Sequence, residues 1–311
     1  MTRIRIGTRA SDLALWQAHH VADLLRHHHP DADVELVTFT TKGDTILDQS
    51  LPSIGGKGLF TEELERALLD GRIDCAVHSL KDLPTQNPDG LIVGAVPERA
   101  PLGDVLISKH RLPLHDLPQG ATVGTSSLRR AAQIRRVRPD VTIIDIRGNV
   151  PTRIDKALAD DSPYDAIVLA QAGVTRLELT AHISEVLALD VMLPAPGQGA
   201  IGIQTRTDNI ALFAPLIHLP TLLTVTAERA FLRRLEGGCS VPVASMGTYR
   251  KTHLHLIGRV ASVDGQQWIE VQREMTLTEN ALADASTLGR STADDAIAQG
   301  AEAILAEVKA G

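Results

Sequence analysis

The sequence Glu-Gly-Gly-Cys-Ser-Val-Pro at residues 236–242 carries Cys239, one of the two cysteines of the chain. The glycines allow the backbone to leave a helix and turn sharply, and Pro242 prevents helical continuation. A thiol on such a bend is either a small buried packing residue or a point of covalent attachment. The other cysteine, Cys75, lies in the run Asp-Cys-Ala-Val-His, which predicts a short buried strand and is explained by packing. Cys239 lacks such an apolar run on both sides, so it is the candidate for covalent chemistry.

Two adjacent arginines, Arg129 and Arg130, follow Thr-Ser-Ser-Leu at residues 125–128, where we predict the start of a helix. A helix N-terminus already carries partial positive charge, so arginines are favoured there only if an anion binds. Backbone N–H groups, hydroxyls and guanidinium groups then converge on one ligand. The alternative is a solvated helix face, and this is our interpretation of Arg135, Arg136 and Arg138, because cations are favourable near a helix C-terminus.

Other cationic residues lie where predicted strands end. Arg147 follows a buried strand, and ligands of open α/β sheets bind at the carboxyl ends of strands. Arg153 lies in the first turn of the next helix, whereas Arg176 ends a later helix and is weak evidence by itself. Arg9 and Ser11 lie at the end of the first strand and the start of the first helix. We therefore expect two lobes that both present cationic groups to a common cleft.

The motif His-Ser-Leu-Lys-Asp at residues 78–82 leaves a predicted buried strand and places Lys81 beside Asp82. An exposed pair of this kind contributes little to stability. Among many arginines, however, Asp82 is an anionic side chain of the kind that a reaction with a cationic intermediate requires. We take Asp82 as a candidate catalytic carboxylate, with a plain surface pair as the alternative.

The run Gly-Gly-Lys-Gly at residues 55–58 resembles a phosphate-binding loop at first sight. Leu59 follows it, and the spacing G-x-x-x-x-G-K-[ST] is absent. We interpret this run as a mobile glycine-rich lid.

Composition restricts the classes of function. The chain is 43% hydrophobic and 22% charged, which is ordinary for a globular protein, and no apolar stretch reaches the length of a membrane span. The net charge of −7 argues against nucleic-acid binding, so anionic ligands must be held by local Arg and Lys clusters. The N-terminus lacks the pattern of a secretory signal, and two cysteines far apart in sequence favour a location in the reducing cytoplasm. The adjacent histidines at 27–29 point in different directions on a helix, so we predict no metal site.

The elements that position these residues alternate between strand and helix, which predicts an α/β fold with largely parallel sheets. The first helix runs from about Asp12 to His28, with Leu13, Trp16, His20 and Leu24 at helical spacing. The pattern restarts after residues 97–101, and a strand at 200–205 returns to the first lobe. We expect a first lobe at 1–98 plus 198–217, a second at 103–193, and an α+β C-terminal domain at 221–311. In the last, Asp264-Gly265 predicts a hairpin turn.

Taken together, the motifs resemble the hydroxymethylbilane synthase, or porphobilinogen deaminase, family. The matching segments run in family order over nearly the whole chain, and only the part beyond about residue 250 matches weakly. They are residues 7–18, 55–60, 78–82, 124–130, 147–150, 196–200 and 235–242.

The resemblance implies two lobes like those of periplasmic binding proteins and a third domain that carries the loop cysteine. It implies a cytoplasmic, monomeric transferase that binds neither nucleic acid nor membrane. A dipyrromethane cofactor is held through a thioether, here on Cys239. Four porphobilinogen molecules are then added head to tail with release of ammonia, and hydrolysis frees hydroxymethylbilane.

The resemblance also implies roles for individual residues. Asp82 is the catalytic aspartate, which hydrogen-bonds pyrrole N–H groups and stabilises the cationic azafulvene left by loss of ammonia. The residues implied in cofactor binding are Ser79, Lys81, Thr125, Ser127, Arg129, Arg130, Arg147 and Gln198. Those implied in substrate binding are Arg9, Ser11, Lys57, Phe60, Arg153 and Arg176. The many arginines fit this chemistry, because a chain grown on a two-ring primer carries roughly twelve carboxylates and needs dedicated arginines.

One departure from the family concerns the lid, where Ser53 stands at a position that is Lys in many relatives. The competing hypothesis is a non-enzymatic clamshell receptor for a small carboxylate. A receptor accounts for two lobes and their arginines. It does not account for Cys239 or for a third domain.

Overall fold

The structure is a computed structural model that describes residues 2–41, 43, 61–235 and 241–310. The chain forms two compact units, Met1–Ala100 with Gly199–Leu222, and Pro101–Gln198 with Leu223–Gly311. Among the described residues, no helix is long and apolar enough to cross a membrane.

The elements follow in chain order. The first stretch contains β1 Arg3–Arg9, α1 Asp12–His28, β2 Asp33–Phe39, α2 Glu62–Leu69, β3 Cys75–Ser79 and β4 Leu91–Ala95. The second contains β5 Asp104–Ser108, β6 Thr122–Gly124, α3 Leu128–Val137, β7 Thr142–Ile144, α4 Val150–Leu158, β8 Ala166–Ala170, α5 Gln171–Arg176 and β9 Glu185–Val186. The last contains β10 Ile201–Arg206, α6 Ile210–Phe213, α7 Leu219–Arg234, β11 Val243–Arg250, β12 His253–Ala261, β13 Trp268–Thr276, α8 Ala281–Ala298 and α9 Ala301–Ala310.

The first unit is built on a five-stranded sheet in the order β2-β1-β3-β10-β4. β1 pairs in parallel with β2 and β3, whereas β10 runs antiparallel to both β3 and β4. The predicted return of the strand near residue 200 to the first sheet is therefore confirmed. Its direction places the residues just before Ile201 beside Ser79, at the carboxyl end of β3.

Helix α1 packs a different face on this sheet than its larger side chains suggest. The buried positions are Ala14, Gln17, Ala18, Val21, Ala22 and Leu25. Trp16 is 37% exposed and stacks on His20 with ring centroids 5.2 Å apart. The helix predicted from about Asp12 to His28 is therefore confirmed, but small residues form much of its buried face and let it approach the sheet closely.

The second unit begins with a sheet of the same plan, in the order β7-β6-β8-β5-β9. Three strands are parallel, and β5 runs antiparallel to both β8 and β9. Strand β5 was not predicted, because its short apolar run follows two prolines. It starts at Asp104, which pairs with Ala170 at the carboxyl end of β8.

The C-terminal part of the second unit is an antiparallel sheet in the order β11-β12-β13, packed against α8. Phe231 from α7 lies in its core with Leu254, Leu256 and Leu288. The predicted turn at Asp264-Gly265 lies between β12 and β13 as expected, within a turn closed by a hydrogen bond from Gly265 N to Ser262 O at 2.9 Å. The predicted class, two α/β lobes and a smaller α+β part, is confirmed.

Candidate active site

At the carboxyl edge of the first sheet, the ends of β1 and β3 bring Arg9 and Ser79 to the same side, because the two strands are parallel neighbours. The Ser79 hydroxyl contacts the side-chain amide of Gln17, which donates to it from Nε2 at 2.9 Å. Gln17 is buried in α1. A hydroxyl at the strand end is thereby fixed to the first helix, near whose start Ser11 lies as the N-cap residue. Ser11 makes no side-chain capping bond.

Lys81 and Asp82 lie on a single helical turn, Leu80–Asp82, immediately after β3. Leu80 is buried, and its N–H donates to Ala200 O at 3.0 Å. The turn closes with Leu83 N donating to Leu80 O at 3.2 Å. Asp82 itself is exposed. The buried leucine therefore holds the turn in place while the carboxylate of Asp82 is presented to solvent.

His78 precedes these residues, and the sequence alone does not indicate the charge state of its imidazole. It is 7% exposed, and its Nε2 lies 3.1 Å from Oε1 of Gln204. Burial, aided by the charge of Arg9, lowers the pKa of His78 to about 4. The imidazole is therefore neutral at pH 7.

At the carboxyl edge of the second sheet, Thr125 follows β6 and Arg147 lies beyond β7. Thr125 N donates to Ile144 O at 2.9 Å, and Ser127 N donates to Thr125 Oγ1 at 3.2 Å. The Ser126 hydroxyl donates to Ile146 O at 3.0 Å. These bonds join the loop before α3 to the loop after β7. Thr125, Ser126 and Ser127 therefore lie together at the carboxyl edge of this sheet.

The turn before α4 orients the next two cationic residues. Asn149 caps the helix by accepting from Thr152 N at 2.9 Å. Arg153 Nε donates back to Gly148 O at 2.7 Å, in a turn where Gly148 has φ +120. Arg147 and Arg153 are both half-buried. The two residues therefore lie close together in the chain, on either side of the start of α4 at the sheet edge.

Arg129 and Arg130 make a buried ion cluster with Asp104 that the sequence did not reveal. Arg129 Nη1 donates to Asp104 Oδ2 at 2.8 Å and to Leu193 O at 2.8 Å. Arg130 donates to Asp104 Oδ1 from Nη2 at 2.7 Å and to Val168 O from Nη1 at 2.9 Å. The missing signal is the tertiary pairing of β5 with β8, which carries Asp104 to the start of α3.

Gln198 and Arg176 are also buried in the second unit. Gln198 Nε2 donates to Leu102 O at 2.8 Å, and its Oε1 lies 3.5 Å from Arg129 Nη2. Burial lowers the pKa of Arg176 to about 10, which leaves the guanidinium protonated at pH 7. The solvated face predicted for Arg135 and Arg138 was wrong, because Arg135 Nη1 donates to Val263 O at 2.8 Å and Arg138 Nη1 donates to Leu114 O at 2.6 Å.

The candidates Cys239, Lys57 and Phe60, and the departure at Ser53, lie outside the described residues. Cys75 is described, and it is fully buried in β3 as predicted. Burial raises the pKa of its thiol strongly, so Cys75 is unreactive. Within the described part of the chain, no group of three metal-ligating side chains is found.

Comparison with known proteins adds to this geometry. Residues 4–213 match the family model described as "Porphobilinogen deaminase, dipyromethane cofactor binding domain", and residues 222–298 match "Porphobilinogen deaminase, C-terminal domain". The porphobilinogen deaminase of Carboxydothermus hydrogenoformans is 47% identical over 307 residues, covering 98% of this chain and 96% of that protein. That of Syntrophotalea carbinolica is 49% identical over 306 residues, covering 97% and 95%.

Proposed function

The chain belongs to the porphobilinogen deaminase family, and from this premise we propose how its residues divide the reaction among them. Its activity is that of a transferase. It joins four porphobilinogen molecules head to tail on a covalent dipyrromethane primer and releases one ammonia for each molecule added. Hydrolysis then frees hydroxymethylbilane. The receptor hypothesis is not favoured, because the similarity extends through the C-terminal domain that a clamshell receptor does not need.

Asp82 is the catalytic carboxylate in this proposal, and its setting is the observation that carries the assignment. It is an exposed acid on a turn held by buried Leu80, directly after β3. A carboxylate in this place stabilises the positive charge that develops as porphobilinogen loses ammonia, and it accepts hydrogen bonds from pyrrole N–H groups.

The donors at the two sheet edges fit a dipyrromethane in their chemistry. Each ring of that group carries an acetate and a propionate, which call for guanidinium, ammonium and hydroxyl donors. Attached to Cys239, the dipyrromethane supplies the primer on which the chain grows. In this proposal its carboxylates are held by Ser79, Lys81, Thr125, Ser127, Arg129, Arg130, Arg147 and Gln198.

Arg129 and Arg130 keep a place in that set despite their bonds to Asp104. Two guanidinium groups share one carboxylate, so the cluster retains a net positive charge at the N-terminus of α3. Each guanidinium has five N–H donors, of which Asp104 and the nearby carbonyls use only part. A carboxylate of the ligand would meet a cluster that is already oriented.

Incoming porphobilinogen is assigned to Arg9, Ser11, Lys57, Phe60, Arg153 and Arg176. The half-buried Arg9 lies at the end of β1, and Arg153 lies in the first turn of α4, where its Nε donates to Gly148 O. A planar guanidinium binds a carboxylate with two parallel hydrogen bonds, which fixes the orientation of the ring that bears it.

We also propose that the enzyme acts as a monomer in the cytoplasm and folds as the three domains expected from the sequence. Three separate sheets support that division. Light scattering after size-exclusion chromatography tests the monomer, and a dimer mass would refute it.

The covalent anchor is tested by intact mass. We expect the purified wild-type chain to carry a two-pyrrole adduct and Cys239→Ala to carry none and to lose nearly all activity. Cys75→Ala is the matched control and should keep both, because its thiol is buried and unreactive. An adduct on Cys239→Ala, or an unmodified wild-type chain, would refute the assignment.

A further inference from the structure

Arg259 lies on β12, the central strand of the C-terminal sheet, and its side chain leaves that sheet to contact the second lobe. It is 5% exposed. Its Nη1 donates to Oε1 of Gln133 on α3 at 2.6 Å, and its Nη2 donates to Asp190 O at 3.0 Å. A single buried guanidinium thus bridges two elements that are far apart in sequence.

The guanidinium is held on its own side as well. Nε and Nη2 both donate to Oε2 of Glu270 on the neighbouring strand, at 2.8 and 2.6 Å. The ring of Trp268 lies under it, with the centroid 4.5 Å from Cζ. Contacts within the C-terminal sheet therefore orient the guanidinium of Arg259 toward Gln133.

Gln133 is in turn hydrogen-bonded to Leu193, in the loop after β9. Its Oε1 accepts from Leu193 N at 2.9 Å, and its Nε2 donates to Leu193 O at 3.1 Å. Leu193 O is also an acceptor for Arg129 Nη1. An unbroken hydrogen-bonded path therefore runs from Arg259 through Gln133 and Leu193 to Arg129 at the start of α3.

The turn between β12 and β13 also lies close to the backbone of α3. Arg135 Nη1 donates to Val263 O, and a Cβ added to Gly265 would approach Ala132 O to 2.6 Å. The turn between β12 and β13 therefore lies directly against α3. The sheet that follows the Cys239 segment in the chain is thus joined to the helix that begins with the candidate cofactor-binding residues.

We propose that Arg259 is a positioning residue for the polymerisation, which sets the C-terminal sheet against α3 through Gln133. Its hydrogen bonds within the described part of the chain go to Gln133, Asp190 and Glu270, none of which is assigned to substrate. The proposal rests on the proposed function, because the two sides it aligns are the sheet that follows the Cys239 segment in the chain and the donors Ser127, Arg129 and Arg130. Misplacement of a reacting group by a fraction of an ångström to an ångström lowers the rate of reaction more than it lowers affinity.

The test uses Arg259→Met, which keeps the apolar stem and removes the donors. We expect kcat for porphobilinogen consumption to fall about tenfold with KM within about twofold. Amide hydrogen exchange at Leu193 should become faster. The matched control is Arg273→Met on β13, whose guanidinium pairs with Asp295 on α8 and does not contact α3. It should leave kcat and exchange at Leu193 unchanged.

Two further variants keep the test decisive. Arg259→Lys retains the charge beside Glu270 without the planar fork, so it should show the same effects if Arg259→Met does not fold. Arg259→Met combined with Gln133→Leu should lose no more kcat than the worse single variant, because both remove the same path.

An unchanged kcat in the Arg259 variants, whether or not their free energy of unfolding falls, would overturn the positioning role. Unchanged exchange at Leu193 would overturn the docking contact. A wild-type chain without adduct and without ammonia release would instead refute the proposed function, and the exchange measurement would still decide the contact between β12 and α3.

Discussion

Arg129 donates a hydrogen bond from Nη1 to Oδ2 of Asp104 at 2.8 Å, and both side chains are buried. The first residue of β5 thereby meets the first turn of α3. The contact explains how two arginines are tolerated at a helix N-terminus without a ligand. Asp104 is also the carboxylate that holds both Arg129 and Arg130 in place at this edge.

Asp104→Asn should destabilise the second unit more than any exposed acid does. Removing the carboxylate leaves two buried guanidinium groups without an anionic partner, and the free energy of unfolding should fall by about 3 kcal/mol or more. Urea denaturation measures it, with the exposed Asp116→Asn in the same lobe as the control. Equal midpoints for the two variants would contradict this account.

Arg147→Leu and Arg129→Leu should behave differently, although both residues are candidates for binding cofactor carboxylates. Arg147 is half-buried at the sheet edge, so its loss should lower the occupancy of the two-pyrrole adduct or the turnover, and should change the free energy of unfolding by less than about 1 kcal/mol.

Arg129→Leu should also lower the free energy of unfolding, because Asp104 loses one of its two partners. Adduct mass and urea denaturation together separate the effects, with the exposed Lys109→Ala as control. A normal adduct and normal turnover in Arg147→Leu would remove it from the site.

Asp82→Asn should fold, carry the adduct and bind porphobilinogen, yet release ammonia slower by on the order of a hundredfold. The charge of the carboxylate matters most where positive charge develops, so kcat should fall more than affinity does. Asp82→Glu should be milder, because the charge is displaced but kept. Single-turnover ammonia release at saturating porphobilinogen is the measurement, with exposed Asp89→Asn as the matched control. Near-normal release by Asp82→Asn would show that another group stabilises the cation.

The buried His78 should make the first unit sensitive to acid. Its pKa is about 4 in the folded chain against an ordinary 6.5, so the unfolded chain binds the proton more tightly. Stability is therefore fully present above about pH 6.5 and is lost as the pH falls toward 4. Between pH 7 and 4.5 this one group should cost about 2 kcal/mol.

The check on this prediction is urea denaturation at both pH values. His78→Gln does not titrate, so its loss of stability over that interval should be smaller than that of wild type. The exposed His19→Gln should retain the wild-type dependence. An identical pH dependence for His78→Gln and wild type would assign the acid sensitivity to other groups.

The order of motifs along the chain was enough to identify the family and the class of fold. Residue types and local spacing carry that information. The period of apolar residues indicates strands and helices, and the cationic residues lie in the loops after the strands. The buried strand around Cys75, the return of β10 to the first sheet and the turn at Asp264-Gly265 were all predictable in this way. Each depends on neighbours within a few residues or on a simple rule of connection.

What the sequence did not determine was the partner of each polar side chain. Asp104 meets Arg129 and Arg130 only because β5 pairs antiparallel with β8, and Arg259 meets Gln133 only because the C-terminal sheet packs on α3. The buried face of α1 likewise depends on how closely small residues let the helix approach its sheet. Such contacts join residues distant in sequence, and burial then changes their charge state, as it does for His78. Tertiary structure alone therefore decided which cations are held by the protein itself and how the C-terminal sheet is tied to the second lobe.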